Sequence, residues 1–131
     1  MGNTDTVHRF LEAFDRRDES ALMTICHPAI RFEPASTEVA QRAPYMGHAG
    51  IRQYLMDIGQ TWDRFSLTVH AVAEGERAVV ALGRIYVRTQ GFVGDDPVGI
   101  VFGVRRGKVL WGKVYTSQEA ALTAAGADRG S

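Results

Sequence analysis

The sequence predicts an α+β fold in which helices pack on one face of a bent, mostly antiparallel sheet. Three observations carry this. Within Pro44 to Trp62, the residues Ile51, Tyr54, Leu55, Ile58 and Trp62 recur at mostly helical spacing, with Arg52, Gln53, Asp57 and Gln60 turned away. Downstream of it almost every segment alternates like strand, and upstream two helical patterns precede one short strand. A helix with one apolar stripe must lay it on a broad apolar surface, and only the downstream strands supply one. A long helix across a strongly curved sheet leaves a cone whose mouth holds a cavity.

Each element follows from local chemistry. Thr4 to Arg17 reads as the first helix, with Val7, Phe10, Leu11 and Phe14 as its stripe and His8, Glu12, Asp15 and Arg16 facing water. Asp18 is an N-cap for a short second helix burying Leu22, Met23, Ile25 and Cys26. Pro28 forces His27 out of helical backbone and stops it. Ala29 to Glu33 alternates as a strand, ended by Pro34, and residues 35–46 show no period and read as a loop. Gly47 and Gly50 bracket the start of the long helix.

Phe65 to Glu74 is the next strand, with Phe65, Leu67, Val69 and Ala71 on one side and Ser66, Thr68, His70 and Val72 on the other. With Gly75-Glu76 as a two-residue turn into Arg77 to Gln90, Phe65 meets Tyr86, Leu67 meets Arg84 and Val69 meets Leu82. Arg84 and Tyr86 then face inward. Gly91 to Pro97, with its Gly94-Asp95-Asp96-Pro97 run, reads as a loop. Val98 to Arg105 and Lys108 to Tyr115 form a second hairpin around Arg106-Gly107, with Val98, Ile100, Phe102 and Val104 sharing the face of Val109, Trp111, Lys113 and Tyr115. Thr116-Ser117-Gln118-Glu119 matches a capping box for a last helix, Ser117 to Ala125, halted by Gly126. The chain reads as a single domain over 1–131, with its core at about 4–125 and a frayed tail at 126–131.

Composition narrows the function classes. Lys plus Arg balances Asp plus Glu at 15 each, so no field draws the chain to nucleic acid or to an anionic membrane. The N-terminal apolar pattern is interrupted by His8, Arg9 and Glu12, which fits neither a signal peptide nor a membrane span. The single cysteine, Cys26, excludes an intrachain disulfide and fits a reducing compartment, so the expected location is cytoplasmic. His8, His27, His48 and His70 are scattered without ligand spacing, and no metal or cofactor is expected. Cys26 reads as a buried structural thiol, His48 as a solvated helix start and His70 as part of an outer surface.

The opening helices with their Arg16-Arg17-Asp18-Glu19-Ser20 spacer, the strand Ile30-Arg31-Phe32-Glu33-Pro34, the run Tyr45 to Leu55 and the closing Gly107 to Tyr115 together resemble the nuclear transport factor 2-like superfamily. The likeness is strongest to its SnoaL-like and ketosteroid-isomerase-like branch. It covers roughly residues 4–122 and implies a cystatin-like α+β roll, an interior pocket and a homodimer across the outer sheet face. It also implies interior carboxylates as acid and base, with a tyrosine or second acid at the oxyanion. That is sound chemistry, because a desolvated carboxylate is a stronger base and a nearby donor stabilises the enolate it makes.

By that resemblance Glu33, before Pro34, sits where ketosteroid isomerases have an Asp-Pro general base, although Glu is one methylene longer. The alternative is an exposed strand-end glutamate paired with Arg31. The usual partners are missing. Phe10 stands where the isomerases have their first-helix tyrosine, and no Asp or Glu lies between Asp96 and Glu119. Residues 77–94 also lack an acid, which removes the epoxide-hydrolase arrangement.

The catalytic candidates are therefore Glu33, Arg84 and Tyr86, with Arg84 suited to an anionic or carbonyl-bearing ligand if it faces inward. The alternative has Arg84 snorkelling to the sheet edge and Tyr86 packing. The ligand-binding candidates are Phe14, Tyr45, Tyr54, Trp62, Phe102, Trp111 and Tyr115, an aromatic lining for a small hydrophobic molecule. Two functions stay open: an acid–base lyase, isomerase or cyclase on a hydrophobic carbonyl compound, or a non-catalytic ligand-binding or dimerisation module.

Overall fold

The computed structural model describes residues 2–34 and 44–127. Two helices open the chain, α1 (Asn3–Asp15) and α2 (Glu19–Ile25), followed by strand β1 (Cys26–Glu33). A two-residue strand β2 (Tyr45–Met46) runs directly into α3 (Gly47–Thr61). Four long strands follow, β3 (Arg64–Glu74), β4 (Val79–Thr89), β5 (Phe92–Arg105) and β6 (Lys108–Tyr115), and then α4 (Gln118–Ala125). The sheet has the order β2-β1-β6-β5-β4-β3, with β1 parallel to β6 and every other pair antiparallel. This is the expected α+β roll. Most of the expected loop at 35–46 and most of the expected tail at 126–131 lie outside the described residues. Among those described, no helix is long and apolar enough to cross a membrane.

Two apolar layers hold the roll together. On the concave face, Val7, Phe10 and Phe14 of α1 and Ile51, Tyr54 and Ile58 of α3 pack onto Phe32, Ile100, Phe102, Val109 and Val114. On the convex face, Ala121, Leu122 and Ala125 of α4 cover Val80 and Val101. The start of α3 is fixed by close approach: a Cβ at Gly50 would lie 2.8 Å from the Tyr45 carbonyl carbon. Asp18 caps α2 as expected, accepting from the Ala21 amide at 3.1 Å. Cys26 belongs to β1 rather than to α2, because the chain turns extended at that residue, two positions before Pro28. In α4 the cap is Ser117, which accepts from Ala120 N at 3.1 Å, rather than Thr116.

Three expectations about the strands are corrected. The β3–β4 turn spans four residues, not two, because Arg77 and Ala78 donate to Ala125 O at 2.9 and 3.2 Å instead of extending the ladder. The longer turn moves the pairing by two residues, and a bulge at His70 moves it back by one, so that Phe65 meets Val87, Leu67 meets Ile85 and Val69 meets Gly83. The bulge also moves Ala71 outward and Val72 onto the core face. Next, residues 92–97 are strand, not loop, paired with β4 from Thr89 to Arg84. Pro97 is tolerated there because β6 ends at Tyr115, opposite Gly99, and leaves β5 as an edge.

In the last hairpin Val104 meets Val109 as expected, but a bulge at Leu110 then pairs Gly103 with Trp111, Val101 with Lys113 and Gly99 with Tyr115. Trp111, Lys113 and Tyr115 thus occupy the convex face. A Cβ at Gly103 would come within 1.9 Å of the Trp111 indole Nε1, so the ring lies flat over bare backbone.

These faces make a stability contrast. Phe102 is fully buried, and Phe102→Ala is expected to cost about 3–5 kcal/mol. Trp111 is 36% exposed, and Trp111→Ala should cost only about 1–2 kcal/mol. Urea denaturation measures both, and equal losses would put Trp111 in the core.

Candidate functional site

Between α3 and the concave side of β3–β6 lies an open cavity of about 540 Å³. Tyr54, Ile58 and Trp62, one helical turn apart, form its helix wall. Phe65, Ile85 and Val87 form the opposite wall, and they face inward because of the register described above. The inner face of β5 adds Phe92, Gly94, Asp96 and Val98, every second residue of a strand. Phe92 is 52% exposed and meets Trp62 at a ring separation of 5.9 Å, so these two rings frame one side of the mouth.

Tyr54 is the floor. Its ring stands 4.9 Å from Phe32, 5.1 Å from Tyr45 and 6.1 Å from Phe14. Beyond it Phe10, Phe14 and Phe102 close the apex, leaving a void of only about 20 Å³. The Tyr54 hydroxyl has no protein hydrogen-bond partner among the described residues. Burial, reinforced by Tyr45 and partly offset by Arg17, holds this phenol well above its usual pKa. It is a neutral hydroxyl at physiological pH.

Beside the floor, Tyr45 Oη donates to Asp57 Oδ2 at 2.6 Å and Gln53 Nε2 donates to Asp57 Oδ1 at 2.8 Å. Asp57 is only 6% exposed, which corrects its expected solvent-facing position. β2 covers that flank of α3 and makes it an interior surface. His48 also departs from a solvated helix start, since its Nε2 lies 2.9 Å from Cys26 O and ties α3 to β1.

A SnoaL-like domain model matches residues 7–111. The chain belongs to the SnoaL-like domain family. Its fold recurs in solved structures of low identity. An NTF2-like protein from Burkholderia thailandensis is 22% identical, with 95% of this chain and 97% of that one covered and a TM-score of 0.80. A protein from Jannaschia sp. assigned as a SnoaL-like polyketide cyclase is 19% identical, covering 97% and 93% at a TM-score of 0.71. A Xanthomonas campestris protein with a cystatin-like fold is 13% identical, covering 98% and 100% at 0.79. No curated protein sequence matches the chain.

This SnoaL-like domain distributes the sequence-derived candidates over three places. Tyr54 and Trp62 line the cavity. Phe14 and Phe102 lie in the filled apex, and Tyr45 is buried with its hydroxyl committed to Asp57. Glu33, Arg84, Tyr86, Trp111 and Tyr115 are on the convex side. Glu33 is 37% exposed at its side chain and faces Arg31 across 3.6 Å, opposite in the pleat to buried Phe32. Arg84 Nε donates to Asp95 Oδ1 at 3.0 Å, while Tyr86 lies between Ser66 and Asp95 in the ladder. Tyr115 packs beneath α4, with Lys113 Nζ 5.2 Å from its ring centroid.

Asp96 and Phe92 are among the lining residues the sequence reading missed. Their signal was parity, since 92, 94, 96 and 98 continue the inward set of Ile100 and Phe102. Turn chemistry at Gly94-Asp95-Asp96-Pro97 masked it. Among the described residues no group of three metal-ligating side chains converges.

Cys26 is buried, and desolvation, opposed by Lys108, pushes its thiol from 9.0 up to about 12. The raised folded-state value means the unfolded chain ionises first. Cys26 therefore supports stability fully below about pH 9, and that support is lost as pH climbs toward about 12. At pH 8 a chromogenic disulfide reagent is expected to modify Cys26 only after denaturant is added; rapid reaction of the native protein would contradict its burial.

Proposed function

We propose that this SnoaL-like domain is a small-molecule-binding protein whose cone holds a flat, largely apolar compound against Tyr54, Trp62 and Phe65. One observation carries the proposal: an open cavity of about 540 Å³ whose walls are aromatic and aliphatic, with few polar groups. A paired-carboxylate mechanism has no support in the lining, where Asp96 is the one acid among the described residues. Glu33 does not reach this space and takes no part in the proposed site. The family assignment and the polyketide-cyclase-like fold of one relative favour a hydrophobic metabolite as the occupant. The proposed homodimer uses the convex face that α4 leaves open, around Trp111 and Lys113.

A catalytic reading is favoured by one feature, the presence of Asp96 and the Tyr54 hydroxyl in the same cavity. There Asp96 would accept a proton and Tyr54 would donate to the developing oxyanion.

The test uses the neutral naphthalene ketone dye prodan, in a Trp111→Phe background that leaves Trp62 as the single tryptophan. Prodan is expected to shift its emission on binding and to quench Trp62. Trp62→Ala should weaken binding by about fivefold or more, while Glu33→Gln and Arg84→Ala stay within about twofold of the parent. An unchanged affinity in Trp62→Ala, or a large loss in Glu33→Gln, would overturn the proposed site. Turnover of small ketones lost in Asp96→Asn would establish the catalytic reading over simple binding.

A further inference from the structure

Charge is arranged unevenly around the cone. Of the side chains lining the cavity among the described residues, Asp96 alone carries charge, and no lysine, arginine or histidine joins it. The basic residues of the neighbouring strands are on the other face. Arg64 and Arg88 are cross-strand partners, one residue out of phase with the inward pair Phe65 and Val87. Arg84 pairs with Asp95, one residue before Asp96 and on the convex side. The ion pairs of the described residues thus leave Asp96 unpaired.

The spacing along β5 matters as much as the sign. Its inner face runs Phe92, Gly94, Asp96: an aromatic ring, a stretch with no side chain, then a carboxylate. Four strand residues span about 13 Å. At one end Phe92 and Trp62 offer two rings to an apolar body, with Phe65 behind them. At the other end stands Asp96, the single anionic group of the described lining. Among the described residues an anionic ligand would meet an unpaired like charge there and no compensating cation, which opposes its binding.

We propose that the occupant of this cavity is a hydrophobic amine, with its aromatic body between Trp62 and Phe92 and its protonated nitrogen at Asp96. The inference rests on the binding function proposed above and adds the ligand's charge and polarity. It is the opposite of the anionic or carbonyl-bearing ligand that an inward Arg84 would suit. The carboxylate sits at the rim and stays in contact with solvent, so it selects by charge without a large cost of desolvation.

The experiment compares three probes of one skeleton: naphthylpropylamine, naphthylpropanol and naphthylpropionate. Quenching of Trp62 in the Trp111→Phe background reads their dissociation constants at low ionic strength and pH 7. The amine is expected to bind roughly threefold to tenfold more tightly than the alcohol, and the carboxylate more weakly than the alcohol by a similar factor. Asp96→Asn should bring the amine close to the alcohol's affinity in the same variant, and Asp96→Lys should invert the order. Added salt should shrink the preference in the parent protein.

Equal affinity for amine and alcohol, tighter binding of the carboxylate, or a preference that survives Asp96→Asn would overturn the inference while leaving the hydrophobic site standing. Failure of all three probes to bind would overturn the binding function and the inference together.

Discussion

A pleated strand sends successive side chains to opposite faces, so the pairing between β3 and β4 decides the chemistry of the whole cone. With Phe65 opposite Val87 and Leu67 opposite Ile85, the interior is apolar and the arginines of both strands are outside. A register one residue shorter would bring Arg84 and Tyr86 inside and make a site for an anion. What sets the register is a single extra residue. The turn at residues 75–78 is drawn onto the C-terminus of α4, where Glu76, Arg77 and Ala78 donate to the carbonyls of Gly126 and Ala125, and it pairs Glu74 with Val79. Continued without interruption that pairing would set Tyr86 opposite Leu67 and Arg84 opposite Val69; the bulge at His70 shifts it by one and puts both outside.

The second constraint is how far the cone is filled. Tyr54 stands at the junction of α1, β1, β2 and α3, in ring contact with Phe14, Phe32 and Tyr45. Arg17 secures the same corner, its guanidinium 4.6 Å from the Phe14 ring centroid and donating to Phe65 O at 3.1 Å. Packing of this density makes the apex solid and confines open space to the region above Tyr54. The site is a shallow bowl with an aromatic floor, and its polarity is concentrated at the rim. That arrangement suits recognition by shape and one charge. It offers little to a reaction that needs two carboxylates in a dry interior.

The fold was readable from periodicity because α1 and α3 carry clear apolar stripes and the strands alternate between their bulges. Ile51, Tyr54 and Ile58 face the core as their spacing requires, and Asp18 and Gly126 mark helix ends by ordinary capping. The site was much less readable, and the failures share one cause. A bulge at His70, a bulge at Leu110 and a strand continuing through Gly-Asp-Asp-Pro each shift the phase of alternation or hide it. Composition and spacing do not report such single-residue events, yet each exchanges inside for outside. Asp57 was lost for another reason: it is a polar residue beside a helical stripe, and Tyr45 of β2, distant in sequence, packs against it and donates to it.

The β3–β4 register is accessible to covalent trapping. Directly opposed residues place their Cα atoms about 4.5–5.5 Å apart, within disulfide range, and their side chains on the same face. Cys26 is too buried to compete. In the register described, the double variant Ser66→Cys with Tyr86→Cys is opposed on the convex face and should close a disulfide under mild oxidation. Phe65→Cys with Tyr86→Cys should stay reduced, because those two side chains leave opposite sides of the sheet. Closure of the second pair and not the first would mean that Arg84 and Tyr86 face the cone, contradicting the account at its root.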